Sequence, residues 1–195
     1  MTRLEAALLD LASFLDDRQV PYMVIGGFAN LHWGAERFTR DLDITVEVPE
    51  EKLDDLIHAL RSRFTMTVPD PGTFARRNHL VRVQNASGVD VDLILAAIPY
   101  EIGAIRRAKA VEIGSGSVRI CTPEDLIIHK LASERAQDRV DVQHIAARQT
   151  GKLDLDYLWP KVRDLATGLE RPGIVDFFAQ LLRDGGREAA GDPHG

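Results

Sequence analysis

The chain has 195 residues, 45% of them hydrophobic and 28% charged, which is the composition of an ordinary soluble globular protein with room for one core and a small appendage. A net charge of −6 excludes a bulk polyanion binder, so a nucleic-acid partner would need a local basic patch. The single cysteine, Cys121, excludes an intrachain disulfide framework, and the acids among the apolar residues of MTRLEAALLDLASFLDD argue against a secretory leader or membrane anchor; a reducing, cytoplasmic setting without a membrane is expected.

In chain order, Leu4, Ala7, Leu8, Leu11, Phe14 and Leu15 recur at helical spacing and predict an amphipathic helix over 3–18, ended by Pro21. Tyr22–Ile25 reads as a short buried strand closed by Gly26 and Gly27, with a helix beginning near 28 and stopping near Gly34. Asp41–Val48 reads as a second strand. Pro49-Glu50-Glu51-Lys52 opens a helix running to about Arg63, with acids in its first turn. A turn-rich Pro69-Asp70-Pro71-Gly72 follows. His79–Gln84 and Val89–Leu95 then form a hairpin across Asn85-Ala86-Ser87-Gly88, and Lys109–Ile113 and Ser117–Cys121 pair across Gly114–Gly116. Thr122-Pro123-Glu124-Asp125 is a helix start, with helices over 123–135, 138–148, 154–166 and 173–184. The order predicts an α+β fold, a mixed sheet flanked by helices, with a C-terminal helical extension. Residues 1–121 are assigned to the α/β core, 122–186 to the extension packed on it, and 187–195 to a disordered tail.

The chemistry begins with Phe38-Thr39-Arg40-Asp41-Leu42-Asp43-Ile44. A strand alternates its faces, so Asp41 and Asp43 point the same way, and two like charges on one face need a cation or open water. Gly26 and Gly27 stand at a strand-to-helix junction, where backbone N–H groups can receive a phosphate, although for the pair alone a plain tight turn is the default. There is no G-x-x-x-x-G-K-[ST] and no G-x-G-x-x-G. Two carboxylates beside a phosphate cradle are a means of holding Mg²⁺ against a nucleotide. Gly88-Val89-Asp90-Val91-Asp92-Leu93-Ile94 offers a third acid, Asp92, as ligand or as general base, with Asp90 as the alternative.

Gly26-Gly27, then Arg37-Phe38-Thr39-Arg40-Asp41-Leu42-Asp43, then Val91-Asp92-Leu93 resembles the DNA polymerase β-type nucleotidyltransferase superfamily. Within it, this form resembles the AbiEii-type nucleotidyltransferase toxins of bacterial toxin–antitoxin systems. Thr122–Val142, with Pro123, Asp125, Lys130, Arg135, Asp138 and Asp141, is similar to that family's helical block. The resemblance implies that Gly26, Gly27, Arg37 and Thr39 bind or support the nucleotide and that Asp41, Asp43 and Asp92 bind two Mg²⁺ ions. It also implies that Lys130 reaches the triphosphate, with Asp138 near the site. An i,i+4 ion pair with Glu134 is the bland alternative for Lys130.

The activity implied is transfer of an NMP from an NTP to an acceptor hydroxyl, with pyrophosphate released. The resemblance implies a tRNA 3′ end or a protein side chain as acceptor and a cognate antitoxin as partner. Arg61, Arg63, Arg76, Arg77 and Arg82 form a candidate RNA surface, against a default of solvated charge. A small-molecule, aminoglycoside-like acceptor is the second reading, which an acidic protein suits. A catalytically silent binding module or antitoxin is the third.

Overall fold

The computed structural model describes residues 1–35 and 39–190, with side chains through residue 183. It divides into two compact units, residues 1–29 with 37–122, and residues 30–36 with 123–195.

The first unit is built on a seven-stranded sheet of order β3-β4-β5-β2-β1-β7-β6. The strands are β1 (Tyr22–Ile25), β2 (Asp41–Val46), β3 (Thr65–Met66), β4 (Leu80–Gln84), β5 (Asp90–Leu95), β6 (Lys109–Ile113) and β7 (Gly116–Ile120). β2 runs parallel to β5 and β1 parallel to β7; the other neighbours are antiparallel. This is the mixed sheet of the expected α+β class. Leu42, Ile44 and Val46 of β2 and Val91, Leu93 and Leu95 of β5 are buried, as the alternation requires of one packed face.

Helix α1 (Arg3–Asp17) starts in a capping box, with the Thr2 hydroxyl accepting from the Glu5 amide and Glu5 accepting from the Thr2 amide. Its apolar stripe of Ala7, Leu8, Leu11, Ala12, Phe14 and Leu15 is buried, and the helix packs on β7 and β2. α2 (Gly26–Trp33) follows β1 without a loop. A 3₁₀ turn at Glu50–Lys52 leads into α3 (Leu53–Leu60).

Two helices of this unit are missing from the sequence reading. α4 (Pro71–Asn78) forms where a turn was expected, because Asp70 caps the Thr73 amide at 3.1 Å and Pro71 fits the first helical position. α5 (Pro99–Arg107) starts with Glu101 accepting from the amides of Ala97 and Ile98. Both are short and bury few side chains, so the periodic apolar signal was too weak to reveal them, whereas the cap residues were visible.

The second unit contains the end of α2 and four helices, α6 (Pro123–Ala132), α7 (Ala136–Arg148), α8 (Leu155–Gly168) and α9 (Gly173–Ala190). α6 packs on α7 and α8, and α9 on α7 and α8. Arg148 donates to the Gly34 carbonyl at 2.7 Å and Gln149 to the Trp33 carbonyl at 3.1 Å, which ties the end of α2 to α7. α9 continues to Ala190, past the end expected near 184; the tail at 191–195 lies outside the described residues. Among the described residues no helix is long and apolar enough to cross a membrane.

Candidate active site

The parallel register of β2 and β5 sets Asp41 opposite Asp90 and Asp43 opposite Asp92. Each strand alternates, so all four carboxylates stand on one face of the sheet. Asp41 and Asp90 lie at its exposed end, while Asp43 and Asp92 are half-buried one step further in. On the other side of β5, the hairpin at 85–88 fixes β4 so that Arg82 faces Asp92 and Gln84 faces Asp90. The Arg82 guanidinium meets both Asp92 oxygens, Nε to Oδ1 at 3.2 Å and Nη2 to Oδ2 at 3.3 Å. Gln84 donates to Asp90 at 2.8 Å. Burial pushes the Asp92 pKa up, the Arg82 charge and hydrogen bond oppose that, and the charges of Asp41 and Asp90 push it up further.

The glycine pair has a role in this geometry that the sequence reading did not foresee. Gly26 has φ of +63°, and a Cβ there would overlap the Asp43 carboxylate, with Asp43 Cγ at 2.8 Å. Asp43 therefore lies against the first turn of α2, where unsatisfied N–H groups favour an anion. A Cβ on Gly27 would stand 2.5 Å from Thr39 Oγ1. That hydroxyl donates to Asp41 Oδ1 at 3.1 Å. Gly26 and Gly27 thus make room for the acidic pair and its supporting threonine, whether or not a phosphate is present. Arg37, the remaining expected nucleotide contact, lies outside the described residues.

Among the described residues, no three Asp, Glu, His or Cys side chains are drawn together as a ready metal-ligand set. The donor chemistry nevertheless fits a hard cation: Asp41, Asp43 and Asp92 supply oxygen donors on one face, and their mutual repulsion is what a divalent ion relieves. A cleft of about 590 Å³ lies at the other ends of β1 and β2, lined in part by Tyr22, Glu47, Arg106 and Arg119, and takes in none of these acids.

In the second unit, Lys130 and Asp138 come together, joined by Asp141. Lys130 Nζ lies 2.9 Å from Asp138 Oδ1 and 2.5 Å from Asp141 Oδ2, and its side chain is 4% exposed. Arg135 reaches Asp138 Oδ2 at 2.6 Å, and Gln137 donates to Asp141 at 3.2 Å. Glu134, the helix-spaced alternative partner of Lys130, instead faces Arg171 at 3.8 Å. Burial alone would raise the Asp138 pKa, but hydrogen bonds from Ser133, Lys130 and Arg135, with the Lys130 charge, bring it down to about 2. His32 packs edge-on against Trp33, and burial, with the Arg148 charge adding, lowers its pKa.

Residues 4–163 match the family described as nucleotidyl transferase of unknown function (DUF2204). The chain belongs to this family of nucleotidyl transferases. Its fold is similar to that of an antigenic nucleotidyltransferase-like protein from Paracoccidioides brasiliensis, at 18% identity over 92% of each chain with a TM-score of 0.55. It is also similar to the lincosamide antibiotic adenylyltransferase LnuA in its lincomycin-bound structure, at 14% identity over 74% of this chain and 96% of that one, with a TM-score of 0.50. No curated protein gives a significant match.

In this nucleotidyl transferase, Asp90, Gln84, Arg82 and Asp141 complete the clusters around the expected residues. The Arg82–Asp92 pairing was not legible in the sequence: strands 79–84 and 89–95 joined across 85–88 would pair Gln84 with Val89, whereas the structure pairs Gln84 with Asp90 and Arg82 with Asp92. Two other arginines of the candidate RNA surface are also engaged. Arg63 pairs with Asp10 at 2.5 Å, and Arg76 with Glu50 at 2.7 Å and Asp54 at 2.9 Å.

The Gly26 geometry predicts that Gly26→Ala costs about 1–3 kcal/mol in urea unfolding. In an Asp43→Ala background the same change costs less, because the overlap is gone and only the φ strain remains. The buried cluster predicts an acid limit. The Asp138 pKa lies below its unfolded value of 3.8, so its contribution is present above about pH 4 and is lost as pH falls towards 2. Lys130→Met should remove about 3–5 kcal/mol at neutral pH and flatten that acid transition, both read from urea midpoints.

Proposed function

We propose that this nucleotidyl transferase uses Mg²⁺ to move an NMP from an NTP onto an acceptor hydroxyl. The observation that carries the reading is the set of carboxylates from β2 and β5 on one sheet face, with Asp43 against the start of α2. Asp41 and Asp43 would hold Mg²⁺, with Asp92 as a further ligand or as the base. When bound, the ion neutralises charge on the triphosphate and on the attacking and leaving oxygens.

The chain's own residues account for the remainder. The amides that open α2 at Gly26 and Gly27 receive phosphate oxygens beside the Asp43 carboxylate. Thr39 steadies Asp41. Asp92 takes the acceptor hydroxyl proton as that oxygen bonds to the α-phosphorus and the bond to pyrophosphate breaks. Lys130, with its ammonium engaged by Asp138 and Asp141, holds α6 to α7 within the second unit.

For the acceptor, a small cationic or neutral molecule carrying a hydroxyl is favoured over tRNA. Three of the five arginines proposed for an RNA surface, Arg63, Arg76 and Arg82, are paired with Asp10, with Glu50 and Asp54, and with Asp92, and the chain carries a net charge of −6. The fold shared with a lincosamide adenylyltransferase is in keeping with this. A cytoplasmic AbiEii-type toxin acting on tRNA and held in check by an antitoxin is the second reading, supported by the motif resemblance over Thr122–Val142.

The test is transfer of α-³²P label from each of the four NTPs, with Mg²⁺, to lincomycin, to an aminoglycoside and to total tRNA. Label should pass to a small molecule, and Asp41→Ala and Asp43→Ala should each lower the rate about a hundredfold or more. Label on tRNA alone would replace the first reading with the toxin. Nucleotide binding without transfer to any acceptor in the panel would count against both acceptor classes, and no nucleotide binding at all would leave the silent module.

A further inference from the structure

β4 carries a single cationic residue, Arg82, and the hairpin register sets it across from Asp92. Its guanidinium spans the carboxylate, with one nitrogen 3.2 Å from Oδ1 and another 3.3 Å from Oδ2. The sheet order places β4 and β2 on opposite sides of β5. Asp92 is therefore engaged from the side away from Asp41 and Asp43. A carboxylate whose two oxygens both meet a guanidinium has part of its charge offset and its orientation held, so a metal ion must compete for it.

We propose that Arg82 is a resident counter-ion that competes with a divalent cation for Asp92. This rests on the metal-binding reading above. In the metal-free protein Arg82 offsets one of the repelling charges on the acidic face and holds Asp92 towards β4. Asp92 joins Asp41 and Asp43 only when the guanidinium withdraws. The arginine side chain is 49% exposed, so it has solvent to move into, and an ion pair at such a site is weak enough for a divalent ion to displace. Arg82 is then a positioning residue: it sets when the third carboxylate is available.

The measurement is Mn²⁺ binding to the metal-free full chain, read from the free-ion electron paramagnetic resonance signal. Arg82→Gln should bind Mn²⁺ about fivefold more tightly than wild type, the worth of one half-exposed ion pair. Arg82→Lys, which keeps the charge and loses the fork, should fall between them. Arg77→Gln removes the same charge from α4 and should leave the affinity unchanged. In an Asp92→Asn background, Arg82→Gln should add nothing. Equal or weaker binding by Arg82→Gln overturns the proposal, as does an equal gain from Arg77→Gln. If Asp43→Asn binds Mn²⁺ as wild type does, or if neither wild type nor Arg82→Gln binds it, the metal reading itself fails and takes this proposal with it.

Discussion

Four carboxylates on one face of a sheet repel one another, and the first unit is arranged around that repulsion. The parallel pairing of β2 with β5 brings Asp41, Asp43, Asp90 and Asp92 together. Each then receives a different kind of support. Arg82 faces Asp92, Gln84 donates to Asp90 and Thr39 donates to Asp41. Asp43 is given room against the start of α2 by the missing Cβ of Gly26. Half of this support comes from β4, so the short turn that sets the β4–β5 register is as necessary to the site as the acids themselves.

The second unit meets the same problem by a different route. Asp138 and Asp141 are almost wholly buried, and a buried Lys130 lies between them, with Arg135 closing the other side of Asp138. Charges taken this far out of water are tolerable only when paired and hydrogen-bonded. On the sheet face the carboxylates keep partial access to water, whereas in the helical unit the charges are almost wholly buried.

Much of the fold was legible, because it rests on local rules. The apolar stripe of α1, the alternation of β2 and β5 and the hairpin at 85–88 all follow from period and turn chemistry. α4 and α5 escaped because they bury little, and the cap of α4 at Asp70 stood in what reads as a turn. The role of Lys130 was open for a related reason. Its spacing from Glu134 is a local fact, whereas its pairing with two aspartates of α7 depends on how α6 and α7 pack.

The sequence by itself determined that Asp41 and Asp43 share a face, that a glycine pair precedes them, and that the chain's motifs are those of a nucleotidyltransferase. Strand alternation and glycine's backbone freedom are properties of the chain over a few residues, so no tertiary knowledge is needed to read them. Only the tertiary structure decided which partner each charge meets: Arg82 for Asp92, Gln84 for Asp90, Lys130 for Asp138 and Asp141. Those pairings join residues near in the chain but on different elements, so they depend on strand register, on helix packing and on the withdrawal of water, none of which the period of a single element fixes.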